Sequence, residues 1–242
     1  MNLDNTALPS KGGRVFGLSG NQLKVIAMLA MLADHIGLCL LPEFKILRAV
    51  GRLAFPIFAY MIAEGCRYTR RRGLYLARLT VLAAGCQTVY AVFGGGWHLN
   101  ILITFSMAIA TIYAIDGHIK HRTPRSLLVM IAVLAGLVFV ECVAPLLFEA
   151  QGFHPDYGAL GVMLPIVIYF ARNKWEKLLF TAVILLAMAW GAGGVQWWGL
   201  LAIPLLALYN QQRGRLNLKY VFYIFYPVHL AVIYLLQVAL SL

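Results

Sequence analysis

LKVIAMLAMLADHIGLCLL, residues 23–41, decides the fold. A helix of about 20 predominantly apolar residues crosses the hydrocarbon core of a bilayer, and this run has that length. Inside it sit Asp34 and His35. A charge at the bilayer centre costs roughly 2.5–3.5 kcal/mol on insertion scales, so such groups commonly carry function. Asp34-His35 is therefore the first candidate for a site.

The same signal recurs along the chain. Hydrophobic residues make up 62% of the 242 positions and charged residues 12%, more apolar surface than a soluble domain of this size can hide. Apolar windows predict about nine spanning helices, eight to ten allowing for ambiguous ends: Leu23–Leu41, Leu47–Cys66, Leu74–Phe93, Ile101–Ile115, Leu127–Phe148, Ala159–Ala171, Leu178–Trp190, Trp197–Tyr209 and Tyr220–Leu240. The fourth, sixth, seventh and eighth are short, and one could be re-entrant. The fold class is an all-α, polytopic transmembrane helical bundle. Residues 1–20 form a polar segment without the apolar stretch of a cleaved signal, and residues 21–242 read as a single integral membrane domain.

Basic residues orient the bundle, because Lys and Arg flanking spans favour the cytoplasmic side. Lys11, Arg14 and Lys24, then Arg67 to Arg78, Lys120 to Arg125, Arg172 to Lys177 and Arg213 to Lys219 fall in alternate loops, whereas 94–100, 149–157 and 191–196 contain no Lys or Arg; only Lys45, Arg48 and Arg52 break the pattern. This predicts a cytoplasmic N-terminus and an outward C-terminus. The net charge of +11 then follows from topology, and no polar domain presents a basic face to nucleic acid. Arg70, Arg71 and Arg72 could also touch anionic lipid or a phosphate-bearing ligand.

Arg48 and Arg52 share a helix face four residues apart, and Pro56 must release the carbonyl of Arg52. Adjacent helical residues diverge by about 100°, so Asp34 does not orient His35; it is expected to pair with Arg52 or Arg48 while His35 faces a cavity. Glu64 lies one turn beyond Tyr60, and Glu141 is a further intramembrane acid; both could cap or snorkel. Tyr223, Tyr226, Pro227 and His229 interrupt the last span, which is tolerated beside protein or a wet cavity. Trp97 to Asn100 and His154 to Gly158 place hydrogen-bonding groups in loops that lack Lys and Arg. Their spacing matches no strong metal motif, the four cysteines show no paired spacing, and the glycine clusters are turns rather than phosphate loops. No metal is expected.

Five segments in order, LKVIAMLAMLADHIG (23–37), GRLAFPIFAYMIAEG (51–65), NILITFSMA (100–108), YGALGVML (157–164) and FYIFYPVHLAVIYLL (222–236), together resemble the TraX family of bacterial membrane proteins, known for N-terminal acetylation of conjugative pilin. The resemblance implies a multi-pass acetyltransferase of the inner membrane that uses acetyl-coenzyme A. Its Tyr-Pro-x-His element also resembles one in membrane acyltransferases that modify surface glycans. The matching positions are Asp34, His35, Gly51, Arg52, Phe55, Pro56, Asn100, Tyr157, Gly158, Gly161, Tyr226 and His229. The chain departs from pilin-modifying members in its Arg-rich turn and in Pro227, which leaves the acceptor open between a pilin and another surface component.

Acyl transfer needs a base, a donor for the oxyanion and a seat for the thioester. His35 is the expected base, with Arg52 or His229 stabilising the oxyanion and Asp34 completing the set. Arg48, Tyr60, Glu64, Asn100, Tyr157 and Tyr226 are expected to bind substrate, and Arg67, Arg70, Arg71 and Arg72 the coenzyme A phosphates. Two other readings stand beside it: a transporter relaying protons through Asp34, His35 and His229, and a non-enzymatic assembly factor whose polar residues bind a partner helix. Oligomeric state is not legible.

Overall fold

The computed structural model describes residues 16–94, 97–214 and 218–240. Lys11, Arg14, the turn at Gly95 and Gly96, and Arg215 lie outside the described residues. Helices dominate: α1 Gly20–Cys39, α2 Lys45–Gly51, α3 Ala54–Tyr68, α4 Arg72–Gly94, α5 Ile101–His121, α6 Pro124–Val138, α7 Ala144–Leu147, α8 Gly158–Phe170, α9 Lys174–Ala192, α10 Ala202–Ala207 and α11 Lys219–Ala239. Every predicted apolar window falls on helix. Among the described residues six helices, counting α2–α3 and α6–α7 as one each, are long and apolar enough to cross a membrane. The α8 helix and the 194–207 segment are shorter, and α4 carries Arg72, Arg78 and Gln87 along its length.

Local chemistry sets the ends. Ser19 and Gln22 form a capping box on α1, Asn100 caps α5, Thr123 with Pro124 opens α6, and Asn173 accepts from the Glu176 N–H at the start of α9. Each cap satisfies a backbone donor that a helix start otherwise leaves open. The core lies where α1, α3, α5 and α8 meet, around Leu23, Ile57, Ile109 and Leu164. By contrast α6 buries none of its side chains, as suits a helix whose neighbour is lipid.

The structure modifies the predicted helices at four points. The second is not continuous: it breaks at Arg52 and Leu53, so that Pro56 falls in the first turn of α3, where its missing N–H costs nothing. The fourth is not short, because Asp116, His118 and Lys120 continue it to His121. The fifth contains a π-helical turn at Phe139–Val143 around Glu141. The eighth is mostly 3-10, Gly194–Leu201, before α10. The two polar loops also pair as short parallel strands, β1 His98–Leu99 with β2 His154–Pro155, aligning His98 with His154.

Candidate functional site

Two glycines let the site form. A Cβ on Gly51 would lie 2.3 Å from the Cβ and Oδ1 of Asp34, so only glycine lets the start of the α2–α3 break press onto α1. Across that contact Arg52 Nη2 donates to both Asp34 oxygens at 2.6 and 2.7 Å, and Arg48 Nη1 donates to Oδ2 at 2.7 Å. Asp34 thus meets both expected arginines, leaving one net positive charge. Arg52 keeps capacity to spare: its Nη1 makes only long contacts of 3.4 Å to the Tyr157 hydroxyl and Gln196, and its buried Nε has no partner.

Tyr157 is positioned by strain and stacking. It sits at φ +61 before α8, a sparsely populated region for a residue with a side chain. Its ring lies flat on Phe55 at 4.0 Å, and a Cβ on Gly161 would meet Tyr157 Cβ at 2.6 Å.

The two histidines hold each other. A carbonyl can only accept, so His35 Nδ1 carries its proton toward Met31 O at 2.8 Å, and His229 Nδ1 carries its proton toward Phe225 O at 2.8 Å. That leaves His229 Nε2 as an acceptor, 3.3 Å from the same His35 N–H. In its neutral ring His35 then presents Nε2 as a lone pair. His35 lines the large cavity; His229, 5% exposed, does not, and backs His35 from behind.

That cavity, about 1820 Å³, lies between α1, α3 and α11. At one end it is lined by His98, Asn100, Asp156 and Tyr157, in the middle by Asp34, His35, Arg48 and Arg52, and at the other by Lys24, Lys174 and Arg213. Burial pushes the Asp156 carboxyl up to about 6. Burial and the neighbouring His154 hold His98 below the usual histidine range.

Of the expected substrate residues, Arg48, Tyr157, Tyr226, Glu64 and Asn100 line the cavity and Tyr60 does not. Tyr60 is fully buried with its ring near Lys177 and Tyr209. Asn100 is engaged in capping α5 and in contacts to Ala83 O and Gln87. Glu64 neither caps nor snorkels: Lys177 Nζ donates to it at 2.5 Å in the interior.

The arginine turn differs most from expectation. None of Arg67, Arg70, Arg71 and Arg72 lines the cavity. Arg67 donates to the carbonyls of Tyr169 and Ala171 at the end of α8, and Arg72 pairs with Asp116 over the Tyr113 ring. Carbonyls left open at a helix end attract a nearby cation. Sequence reasoning did not assign Asp156, Gln196 or Lys177. The one available signal was Lys177 sitting a turn inside α9, where a purely topological lysine would stay at the boundary. Among the described residues no group of three His, Cys, Asp or Glu is arranged to hold a metal, and all four cysteines are free.

Comparison with known proteins matches residues 19–237 to the TraX protein family. A probable fimbrial assembly protein FimC, serogroup H1, of Dichelobacter nodosus is 28% identical over 91% of this chain and 96% of its own length. Protein TraX of Escherichia coli K12 is 26% identical over 67% of this chain and 61% of its own. An uncharacterized protein of Rickettsia prowazekii shares 53% identity over 38 residues, 16% of this chain and 15% of its own. No solved structure matches. The chain belongs to the TraX family.

Proposed function

From membership of the TraX family, we propose that this membrane protein is an acyltransferase that moves an acetyl group from acetyl-coenzyme A to an amine or hydroxyl, such as a pilin N-terminus or another envelope component. It would act in the bacterial inner membrane, with nine helical segments crossing or entering it and the N-terminus in the cytoplasm, where the basic loops collect. The observation that carries this reading is one cavity lined by both the lone-pair nitrogen of a tautomer-fixed histidine and an arginine with unsatisfied donors.

In the proposed reaction His35 Nε2 takes the proton from the acceptor nitrogen or oxygen as that atom forms its bond to the thioester carbonyl carbon. The Nε and Nη1 donors of Arg52 stabilise the negative oxygen, with Asp34 and Arg48 fixing the guanidinium. When the carbon–sulfur bond breaks, the departing thiolate recovers the proton from His35. His229 orients the imidazole through the shared Nδ1–H. The fit of the thioester rests on the unpartnered Nε of Arg52 and on a cavity of about 1820 Å³ that His35 and Arg52 both line.

The second reading, a non-enzymatic assembly factor, is favoured by the name of the Dichelobacter nodosus relative. Purified protein given acetyl-labelled coenzyme A and a panel of pilin and glycan acceptors separates the two. Covalent label on an acceptor supports transfer. A stable complex with pilin and no label on any acceptor supports assembly.

A further inference from the structure

The cavity is asymmetric in charge. The basic end brings Lys24, Lys174 and Arg213 onto its wall, whereas Arg70 and Arg71 of the adjacent arginine turn stay exposed and away from it. Glu64, the carboxylate that lines this end, is neutralised by Lys177. Lys24 lies over the Phe222 ring at 5.2 Å, and among the described residues no carboxylate pairs with it. Lys174 donates to the Tyr209 carbonyl at 3.1 Å, a contact that leaves its charge uncompensated. A cation with an apolar wall and no counter-ion is costly to hold, and an anionic ligand would relieve that cost.

The second observation is a length. Lys24, Met28, Met31 and His35 all line the cavity, and their offsets of four, seven and eleven place them within about 60° of one another on α1. Eleven residues at about 1.5 Å each separate Lys24 from His35 by roughly 16 Å. A pantetheine arm has roughly thirteen bonds from phosphorus to sulfur, which at about 1.2 Å of extended reach per bond also spans roughly 16 Å.

Resting on the acyl-transfer reading, we propose that Lys24, Lys174 and Arg213 cradle the diphosphate head of a pantetheine-bearing donor, and that the α1 stripe sets the distance which brings its thioester to His35. The seat for the phosphates is thus the α1, α9 and 210–213 mouth, not the Arg67–Arg72 turn. Donors without the arm, such as an acyl phosphate, leave the gap to His35 unspanned.

The test is equilibrium binding of coenzyme A, pantetheine and inorganic pyrophosphate to the full chain in detergent. Coenzyme A should bind at least tenfold more tightly than pantetheine, pyrophosphate should displace it, and added salt should weaken it. Lys24→Gln and Lys174→Gln should each raise the Kd for coenzyme A at least fivefold and leave that for pantetheine unchanged. Lys24→Arg should restore affinity, which separates lost charge from lost folding, and Arg70→Gln should bind as the wild type does. Equal binding of coenzyme A and pantetheine, or unaltered affinity in both lysine variants, would overturn the cradle. So would protection of Lys24 from an amine reagent by phosphatidylglycerol nanodiscs but not by coenzyme A, which would assign the cations to lipid. Binding as described without transfer to any acceptor would leave the cradle and refute the acyl-transfer reading. Transfer with an unchanged KM for acetyl-coenzyme A in the lysine variants would do the reverse.

Discussion

Replacing Gly51 by alanine tests the contact on which the site depends. The new methyl would lie 2.3 Å from the Cβ and Oδ1 of Asp34 and 2.6 Å from its Cγ. Carbon atoms settle about 3.5 Å apart, so α1 and α2 must separate by roughly 1 Å. The near end of Asp34 is its own Cβ, so rotating the carboxylate away does not remove the clash. Nor can α2 slide past α1, because a Cβ on Gly37 would lie only 2.8 Å from that of Leu47. Overpacking of this kind costs about 1–3 kcal/mol. The better helix propensity of alanine returns at most about 1 kcal/mol, while loss of the Asp34 pair adds up to about 3–5 kcal/mol. The net expectation is a loss of about 0–3 kcal/mol if the Asp34 pair survives and up to about 8 kcal/mol if it is lost, read by equilibrium unfolding in mixed detergent micelles. Acyl transfer should fall about 100-fold, the order expected when a catalytic group moves by 1 Å. Gly85→Ala is the control: nothing lies within 4 Å of its new methyl, so it should be neutral or slightly stabilising. A Gly51→Ala protein that matches Gly85→Ala in stability and wild type in turnover would refute the reasoning.

Two further changes probe the charges around the cavity. Lys177→Met strands the buried Glu64 carboxylate and should cost about 3–5 kcal/mol, most of which Glu64→Gln in the same protein should restore; an additive double variant would show that the pair is not coupled. Burial raises Asp156 from 3.8 to about 6, so the folded chain holds that proton more tightly than the unfolded chain. Stability contributed by this group therefore falls as pH rises from about 4 to 6, and the ionised form costs about 3 kcal/mol above that window. Asp156→Asn should accordingly gain thermal stability above pH 6 and none below pH 4, and melting curves that run parallel to wild type across this range would contradict the assignment.

Much of the architecture was legible because lipid imposes length and apolarity on a helix, and those are properties of sequence alone. The Asp34, Arg48 and Arg52 cluster was legible for a related reason: charges in lipid need partners, and the four-residue spacing put both arginines on one face. The role of the Arg67–Arg72 turn was not. Its charges sit in the right loop for topology, yet which carbonyl or carboxylate each meets depends on how α8 and α5 end nearby. Lys24 read as one more flanking cation for the same reason, since its place on the cavity stripe becomes visible only when α11 packs across α1. The pairing of β1 with β2 also escaped, because it joins loops distant in sequence, and nothing in the structure explains the π turn at Glu141.

The central claim is that His35 removes the acceptor proton in a transfer reaction. The most direct measurement is the single-turnover rate of acetyl transfer by purified wild-type protein and by His35→Asn, with coenzyme A binding measured on the same samples. The account predicts transfer by the wild type, a loss of about 100-fold or more in the variant, and unchanged coenzyme A affinity. Transfer at the wild-type rate by a His35→Asn protein that binds coenzyme A normally would contradict it.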